Sequence, residues 1–226
     1  MDITVIGATG GTGRQVVAQA LAAGHRVTAV VRDPARLPAF PVPAVRSGSA
    51  ASSAASSAGE LVVVTADVMK VEDLRPAVRG RDAVVTALGP SGRHPRPVVT
   101  PALDTLISAM WAENVSRVVL VSNSGMHTEG DPLLLRAVAK PILQRVLRDA
   151  YADAMRAEEL LRSTELEWTI ARPPRLTNGP HTGTYRMARS GNVRGGSSIS
   201  RADLADFLLR AASDRATSRQ AISLGY

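Results

Sequence analysis

The chain has 226 residues, and 45% of them are hydrophobic. This is enough for one substantial core, so we expect a single domain over residues 1–226. The net charge of +7 comes almost entirely from scattered arginines, because Lys70 and Lys140 are the only lysines, and aromatic residues make up only 3% of the chain. This pattern is not a stacking platform for nucleic acid, so we expect no such partner. Zero cysteines exclude disulfides and thiolate metal sites.

Neither a metal site nor a membrane segment is predicted. The four histidines, His25, His94, His127 and His181, lack metal-ligand spacing. No apolar run approaches the roughly 18 residues of a membrane span, and the chain does not open on a charged-then-apolar leader. We therefore expect a soluble cytoplasmic protein, monomeric or homodimeric, whose partner is a small molecule.

The beginning of the chain predicts a strand, a glycine turn and a helix. The β-branched run Ile3–Ile6 is followed by glycines at positions 7, 10 and 13 and by a helix over Gln15–Ala23. The apolar positions of that helix share one side: Val16, Val17, Ala20 and Leu21.

This order of elements is typical of a loop that binds a dinucleotide. Gly7 allows a sharp turn, Gly10 lets the backbone approach a pyrophosphate, and Gly13 lets the helix pack close to the strand. Free N–H groups at the start of the helix face the phosphates. Thr12 either donates its hydroxyl to a phosphate oxygen or caps the helix. The predicted loop residues are Gly7, Thr9, Gly10, Gly11, Thr12 and Gly13.

The segment after the second predicted strand, Arg26–Val31, governs the choice of dinucleotide, because the residues there meet the adenosine ribose. Asp33 would accept from a free 2′-hydroxyl and favour NAD, whereas Arg32 and Arg36 would hold a 2′-phosphate and favour NADP. Asp33 followed by Pro34 also fits a helix N-cap, which gives Asp33 a structural role. We therefore predict that NADPH is preferred over NADH.

Further strands and helices alternate through the middle of the chain. The predicted strands are Leu61–Val68, Asp82–Gly89 and Arg117–Val121, and the predicted helices are Val71–Val78 and Val98–Asn114. A low-complexity Ser/Ala insertion, Ala44–Gly59, and a basic, proline-rich loop, Ser91–Pro97, interrupt them.

Strand ends in this region supply further candidate cofactor contacts. Asp67, next to Val68, either contacts the adenine amine or has a turn or helix-cap role. Leu88 and Gly89 lie where the backbone can pass close to the nicotinamide ribose.

The strand Arg117–Val121 ends in the polar segment Ser122–His127. Because strand carboxyl ends line the ligand crevice of a doubly wound sheet, Ser124 is a candidate to bond a substrate oxygen. A turn serine that bonds its own backbone is the alternative.

The last third of the chain continues the pattern. A long helical region runs from Asp131–Pro132 to about Ser163, with an interruption at Pro141. Its small apolar face suits close packing on the sheet and consists of Val146, Ala150, Ala154, Ala157 and Leu161. After it we predict a strand (Trp168–Ala171), a substrate loop over residues 172–200 that is mostly irregular from Leu176 to Ser200, a helix (Arg201–Ala212) and a closing strand (Ala221–Leu224).

Two features conclude the pattern. Ser200 is the predicted N-cap of the last helix, with Asp203 at its third position. The alternation as a whole predicts an α/β fold, a single-domain Rossmann fold whose doubly wound parallel sheet carries helices on both faces.

Several motifs together resemble a known family, the atypical short-chain dehydrogenase/reductase proteins of the NAD(P)H-binding group, and in particular the biliverdin reductase B/flavin reductase-like proteins. The motifs are G-A-T-G-G-T-G-R, V-R-D-P-A-R-L, V-S-N-S-G, A-E-E-L-L-R-S-T-E-L-E-W-T-I-A-R-P-P and I-S-R-A-D-L-A-D-F-L-L. The segment from Pro173 to Tyr185 is similar to their P-P-x…P-x-T-G-x-Y loop. The resemblance implies an NADPH-dependent reductase of flavins, quinones or related conjugated molecules, with Ser124, or its neighbour Asn123, at the position of the active-site serine.

The chain departs from related enzymes at two positions. Alcohol and ketone chemistry in short-chain dehydrogenases uses Tyr-x-x-x-Lys, but here Tyr151 is followed by Met155, so no ammonium lowers the pKa of the tyrosine. Where the flavin reductases have a histidine after Pro-Pro, this chain has Arg175, which is suited to holding an acidic substrate rather than to donating a proton. We therefore assign substrate orientation to Ser124 and Arg175.

Two other readings stay open at this point. One is a ketone reductase, dehydratase or epimerase that uses Ser124 with Tyr151 or Tyr185. The other is a non-catalytic dinucleotide sensor that resembles NmrA-type regulators. His127 and His181 border the expected substrate region, as contacts or as solvated loop residues.

Overall fold

The structure is a computed structural model that describes residues 1–40, 59–89, 97–127, 145 and 147–226. The predicted insertion, apart from Gly59, and the proline-rich loop, apart from Pro97, lie outside the described residues. The predicted helix start at Asp131–Pro132, the interruption at Pro141, and Val146 also lie outside them.

Eight of the described strands form one sheet in the order β3-β2-β1-β4-β5-β6-β10-β8, and a separate parallel pair joins β7 to β9. The strands are β1 (Asp2–Ile6), β2 (Arg26–Val31), β3 (Glu60–Thr65), β4 (Ala83–Thr86), β5 (Arg117–Val121), β6 (Glu167–Arg172), β7 (Arg175–Thr177), β8 (Arg186–Ala188), β9 (Ser198–Ser200) and β10 (Gln220–Gly225). All neighbours in the large sheet are parallel except β8, which runs antiparallel to β10. The central strands are mostly hydrophobic because both faces of the sheet are covered.

Helices cover both faces of the sheet. The described helices are α1 (Gly11–Ala22), α2 (Val71–Val78), α3 (Val99–Ala112), α4 (Arg148–Arg162) and α5 (Arg201–Ser213). Helices α1 and α5 pack on one face around Ile3 and Val5. Helices α2, α3 and α4 pack on the other face around Ile6. This arrangement confirms the predicted doubly wound Rossmann fold.

The strand order places a crevice beside β1. The chain passes from β1 to β2 and β3 on one side, and then returns to β4 and β5 on the other. Ligands of open α/β sheets bind at such a reversal, outside the carboxyl ends of the strands. The segments after β1 and β4 approach each other closely there, since a Cβ on Gly7 would lie 2.8 Å from the carbonyl oxygen of Ala87.

The structure corrects several sequence-based predictions of local structure. The third strand ends at Thr65 rather than Val68, and the fourth at Thr86 rather than Gly89. Helix α1 begins at Gly11, four residues before the predicted Gln15, because Gly10 already has extended N-cap geometry with φ −75° and ψ 162°. The stretch from Leu176 to Ser200 is not simply irregular, since it contains β8, β9 and most of β7. Strands of three residues carry too few alternating positions for a periodicity signal.

Among the described residues, no helix combines the length and the hydropathy that a bilayer span requires.

Candidate functional site

The glycine turn between β1 and α1 leaves backbone donors available for a ligand. Gly7 has a φ of +83°, a backbone conformation that residues with a Cβ rarely adopt. No side chain caps α1, and its first turn carries no acidic residue. The first N–H groups of a helix have no partner within the helix, so this end of α1 suits an anion.

The other two glycines of the turn have different roles. A Cβ on Gly13 would overlap the carbonyl oxygen of Gly7. Gly13 therefore allows close packing, as predicted, and the group that it packs against is the backbone of Gly7. A Cβ on Gly10 would meet only that same oxygen, at 3.2 Å, and Gly10 is exposed. The structure excludes the capping role for Thr12, because Gly10 occupies the N-cap and Thr12 is buried in the first turn.

A groove of about 480 Å³ runs beside this turn, and we call it the β1–β4 groove. It brings together seven of the residues predicted to bind a dinucleotide, from four separate stretches of sequence. These are Gly7, Thr9, Arg32, Asp67, Val68, Leu88 and Gly89.

Arg36 lies outside this lining, on the 3₁₀ turn Pro34–Arg36 that follows β2. Its carbonyl oxygen accepts a hydrogen bond of 3.1 Å from the Arg14 guanidinium, which ties this turn to α1. Asp33 caps the turn, because its Oδ1 accepts from the backbone N–H of Ala35 at 3.0 Å. The predicted capping role of Asp33 is therefore confirmed.

Asp67 has the predicted turn role at the floor of the groove. Its Oδ1 accepts from the backbone N–H of Met69 at 3.0 Å. Its own N–H donates to Oδ2 of Asp73, in the first turn of α2, at 3.0 Å. The second carboxylate oxygen of Asp67 has no partner in these two bonds, so the turn role leaves an acceptor for an adenine amine.

A second and larger cavity, of about 660 Å³, adjoins the groove at Leu88 and Gly89, which line both. We call it the apolar cavity, because aliphatic side chains and prolines make up most of its wall. These are Ala87, Leu88, Val99, Leu120, Val121, Leu147, Ala150, Ala154, Ala157, Pro173, Pro174, Leu176, Val193 and Leu224. Thr12 also lines this cavity and is not part of the lining of the β1–β4 groove.

Both residues predicted to orient the substrate line the apolar cavity. Ser124, in the segment that follows β5, is buried, and its N–H donates to the carbonyl oxygen of Pro173 at 2.9 Å. Arg175 is exposed at the start of β7. Asn123, the alternative to Ser124, also lines the cavity, and its Oδ1 is buried with no hydrogen-bond partner among the described residues.

Tyr151, which the ketone-reductase alternative pairs with Ser124, lines the same cavity. Its hydroxyl lies against Gly125, where any Cβ would overlap it. Burial raises the pKa of Tyr151 above its ordinary value. Met155, one helical turn along α4, is 48% exposed and carries no charge, so nothing at that position opposes the rise.

The predicted small apolar face of α4 therefore has two parts. Ala150, Ala154 and Ala157 line the apolar cavity, whereas Leu161 is buried in the core against the sheet. Small side chains at the first three positions leave the space that the cavity occupies.

A buried carboxylate supports the cavity from α4, and sequence reasoning missed it. Glu158 accepts from Ser122 Oγ at 2.6 Å and from Arg172 Nε at 3.0 Å, and it is 4% exposed. Arg172 Nη2 also donates to its second oxygen. Burial would raise the pKa of Glu158, but the hydrogen bonds from Arg172 and Ser122 outweigh it and lower the pKa. This network fixes the ends of β5 and β6 relative to α4.

A second buried carboxylate of α4 holds the wall between the two cavities. Asp153 accepts from the backbone N–H groups of Val98, Val99 and Thr100 at 2.8–3.0 Å, and so caps α3 across the tertiary structure. The residue before α3, Val98, has no capping side chain of its own. The apolar spacing of α4 gave no signal for this contact.

The segment that resembles the P-x-T-G-x-Y loop is anchored to α5. Ser200 caps α5 as predicted, since its Oγ accepts from the N–H of Asp203 at 2.9 Å. The buried Asp203 carboxylate accepts from Thr182, Gly183 and the Tyr226 hydroxyl. Burial would raise the pKa of Asp203, but these hydrogen bonds lower it to about 2.

Tyr185 and His181 lie on the α5 side of this loop and not in the lining of either cavity. The Tyr185 hydroxyl donates to Asp206 Oδ2 at 2.7 Å, and its ring packs edge-on against Phe207. Burial and the Asp206 carboxylate raise the pKa of Tyr185. His181 Nε2 lies 3.4 Å from Asp206 Oδ1. Both side chains therefore hold the loop, and Tyr185 is not available as a partner for Ser124.

No group of three or more His, Cys, Asp or Glu side chains in the described ranges is arranged to hold a metal ion.

Comparison with known proteins agrees with this geometry. An NAD(P)H-binding family model matches residues 7–215 of the chain. YwnB of Bacillus subtilis is 26% identical over 215 residues, which cover 91% of this chain and 89% of that protein.

Solved structures share the fold. A short-chain dehydrogenase/reductase from Veillonella parvula in complex with NADP superposes with a TM-score of 0.74 and 20% identity, over 99% of this chain and 94% of that one. ChuY, an anaerobillin reductase from Escherichia coli O157:H7, superposes with a TM-score of 0.71 and 21% identity, over 99% of this chain and 96% of that one. Because the family model spans the glycine turn, the β1–β4 groove and the strand ends that line the apolar cavity, this chain belongs to the NAD(P)H-binding family.

Proposed function

We propose that this protein is an NADPH-dependent reductase that transfers a hydride to a flavin, a quinone or a related conjugated small molecule. The observation that carries the proposal is the junction at Leu88 and Gly89, which line both the β1–β4 groove and the apolar cavity. A dinucleotide in the groove would present its nicotinamide at this junction, next to a space whose walls suit a planar apolar ring system.

The residues present fit the cofactor. Gly7, Gly10 and Gly13 form a tight turn at a helix start that has no capping side chain and no acidic residue. The backbone at Gly11 and Thr12 would hold the pyrophosphate, and Arg32 at the rim of the groove would hold a 2′-phosphate. When bound, NADPH supplies the hydride.

The protein then contributes position. The aliphatic wall holds the acceptor flat, while Ser124 and Arg175 orient its oxygen or carboxylate groups. A conjugated acceptor takes hydride at an electrophilic atom and its proton from solvent, so no tyrosine and lysine pair is needed.

The test is the rate of NADPH oxidation with flavin, quinone and ketone acceptors under identical conditions. We expect turnover with flavins or quinones and little with simple ketones. If the protein binds NADPH but oxidises it with none of the three acceptors, the enzyme assignment is contradicted and a dinucleotide sensor is favoured.

One observation favours a second candidate, a ketone reductase. Tyr151 lines the apolar cavity together with Ser124, so the two hydroxyls could meet one carbonyl oxygen. The raised pKa of Tyr151 and the absence of charge at Met155 make it a weak acid catalyst, and we therefore place this function second.

A further inference from the structure

One side chain from the far end of the sequence lies against the dinucleotide-binding turn. A Cβ on Gly11 would lie 2.8 Å from both Cδ and Nε of Arg201. Arg201 is the first residue of α5, and its side chain lies against Gly11, the residue that begins α1. Gly11 therefore has a role that the glycine motif alone does not give it: it leaves room for this guanidinium.

The Arg201 guanidinium has more N–H donors than the one hydrogen bond it forms among the described residues. Arg201 Nη1 donates to Asn178 Oδ1 at 2.7 Å, and Arg201 forms no ion pair with a carboxylate among the described residues. A guanidinium carries five N–H donors and stays charged at all physiological pH values. Arg172 and Arg210, by contrast, pair with the carboxylates of Glu158 and Asp206.

Position and chemistry together indicate an anion at this point. The start of α1 has no capping side chain and no acid in its first turn, so its N–H groups and the guanidinium offer positive charge to the same region. We propose that Arg201 binds the dinucleotide pyrophosphate across Gly11. This inference rests on the proposed function, because it requires a dinucleotide in the β1–β4 groove.

The same contact joins the cofactor to the substrate loop. Asn178 follows β7, two residues after Leu176, which lines the apolar cavity. A guanidinium shared between the pyrophosphate and Asn178 would hold that loop against the cofactor, so that the acceptor wall is fixed when the dinucleotide is present.

The experiment measures dissociation constants by calorimetry for three probes: NADP⁺, 2′-phospho-ADP-ribose, which keeps the pyrophosphate but lacks nicotinamide, and adenosine 2′-monophosphate, which lacks the pyrophosphate. In Arg201→Ala we expect about a ten- to a hundred-fold weaker affinity for the first two probes and less than two-fold change for the third. Arg201→Lys should restore part of the loss, because it keeps the charge but not the fork.

Two control variants separate this role from others. Asn178→Ala removes the tether but no charge, and it should weaken NADP⁺ binding by less than five-fold. Arg32→Ala should weaken adenosine 2′-monophosphate as well as NADP⁺, in contrast to Arg201→Ala. Unchanged NADP⁺ affinity in Arg201→Ala, alongside a clear loss in Arg32→Ala, would overturn the inference while leaving the cofactor site intact. Failure of the wild-type protein to bind any of the three probes would instead overturn the proposed function.

Gly11 offers a test that leaves the arginine in the sequence. A Cβ at Gly11 must displace the Arg201 side chain, so Gly11→Ala should weaken NADP⁺ binding in the wild-type background and change it less than two-fold in Arg201→Ala. Losses that simply multiply in the double variant would show that Arg201 acts independently of its place beside Gly11, and would overturn the assignment.

Discussion

The β1–β4 groove and the apolar cavity meet at Leu88 and Gly89, yet they are built in different ways. The groove lies beside a backbone feature, the glycine turn and the uncapped start of α1, and its lining comes from that turn and from the segments around the ends of β2, β3 and β4. The apolar cavity depends on side chains from the end of β5, the segment after β6, α4 and the loop before α5, which buried carboxylates hold together. A groove made of backbone tolerates few changes of shape at its glycines, whereas a cavity made of side chains can change its occupant without a change of fold.

The sharpest test of the backbone part compares two glycines three residues apart. Gly13→Val should prevent stable folding, at a cost of more than about 3 kcal/mol, because the new side chain would overlap the backbone of Gly7. Gly10→Val should cost less than about 1 kcal/mol, because Gly10 is exposed with an ordinary φ, yet it should abolish NADPH binding. Thermal unfolding and a fluorescence titration measure the two effects. A stable Gly13→Val, or undiminished NADPH affinity in Gly10→Val, would contradict this division of roles.

The supporting network of the apolar cavity is tested by Glu158→Ala. Removal of this carboxylate leaves Arg172 inside without its partner, and we expect a loss of about 3 kcal/mol in the free energy of unfolding. The matched control is Glu165→Ala, because Glu165 also pairs with an arginine, Arg219, at 2.5 Å but is 91% exposed. The control should cost less than about 1 kcal/mol. Equal losses in denaturant unfolding of the two variants would remove the distinction between them.

The cofactor preference of the groove is tested by Arg32→Ala. Loss of one charge-assisted contact to a phosphate costs about 1.5–3 kcal/mol, so NADPH affinity should fall roughly ten- to a hundred-fold. NADH lacks the 2′-phosphate and should lose far less. Titration of both cofactors against both proteins provides the measurement, and a wild type that already prefers NADH would make Asp33 the ribose ligand.

The smallest effect is expected in the apolar cavity. Tyr151→Phe should retain most flavin or quinone reduction, with less than about 1 kcal/mol lost in transition-state stabilisation, because burial raises the pKa of this phenol. Ser124→Ala and Arg175→Ala should mainly raise the KM for the acceptor. A loss of kcat of about a thousand-fold in Tyr151→Phe alone, equivalent to roughly 4 kcal/mol, would favour the ketone reductase.

How far the sequence predicts each region follows from the same comparison. The glycine turn, the Asp33 cap and the Ser200 cap involve residues close in sequence, so their spacing was sufficient to predict them. The three short strands between Arg175 and Ser200 were missed, because each gains its partner from a distant strand and carries no period of its own. The structure places seven of the predicted residues in one groove. Their role in binding stays a prediction.

The sequence by itself determined the fold class, the family and the position of the dinucleotide turn, because local hydrophobic periodicity and glycine spacing encode them. Only the tertiary structure decided which charged groups are buried and what they hold. Asp153 caps a helix 53–55 residues away, Glu158 joins two strand ends, and Arg201 lies against Gly11. Contacts of this kind depend on where the crossover connections of the sheet place side chains that are distant in sequence. Neither the hydrophobic pattern nor the local spacing of residues specifies which of these side chains meet.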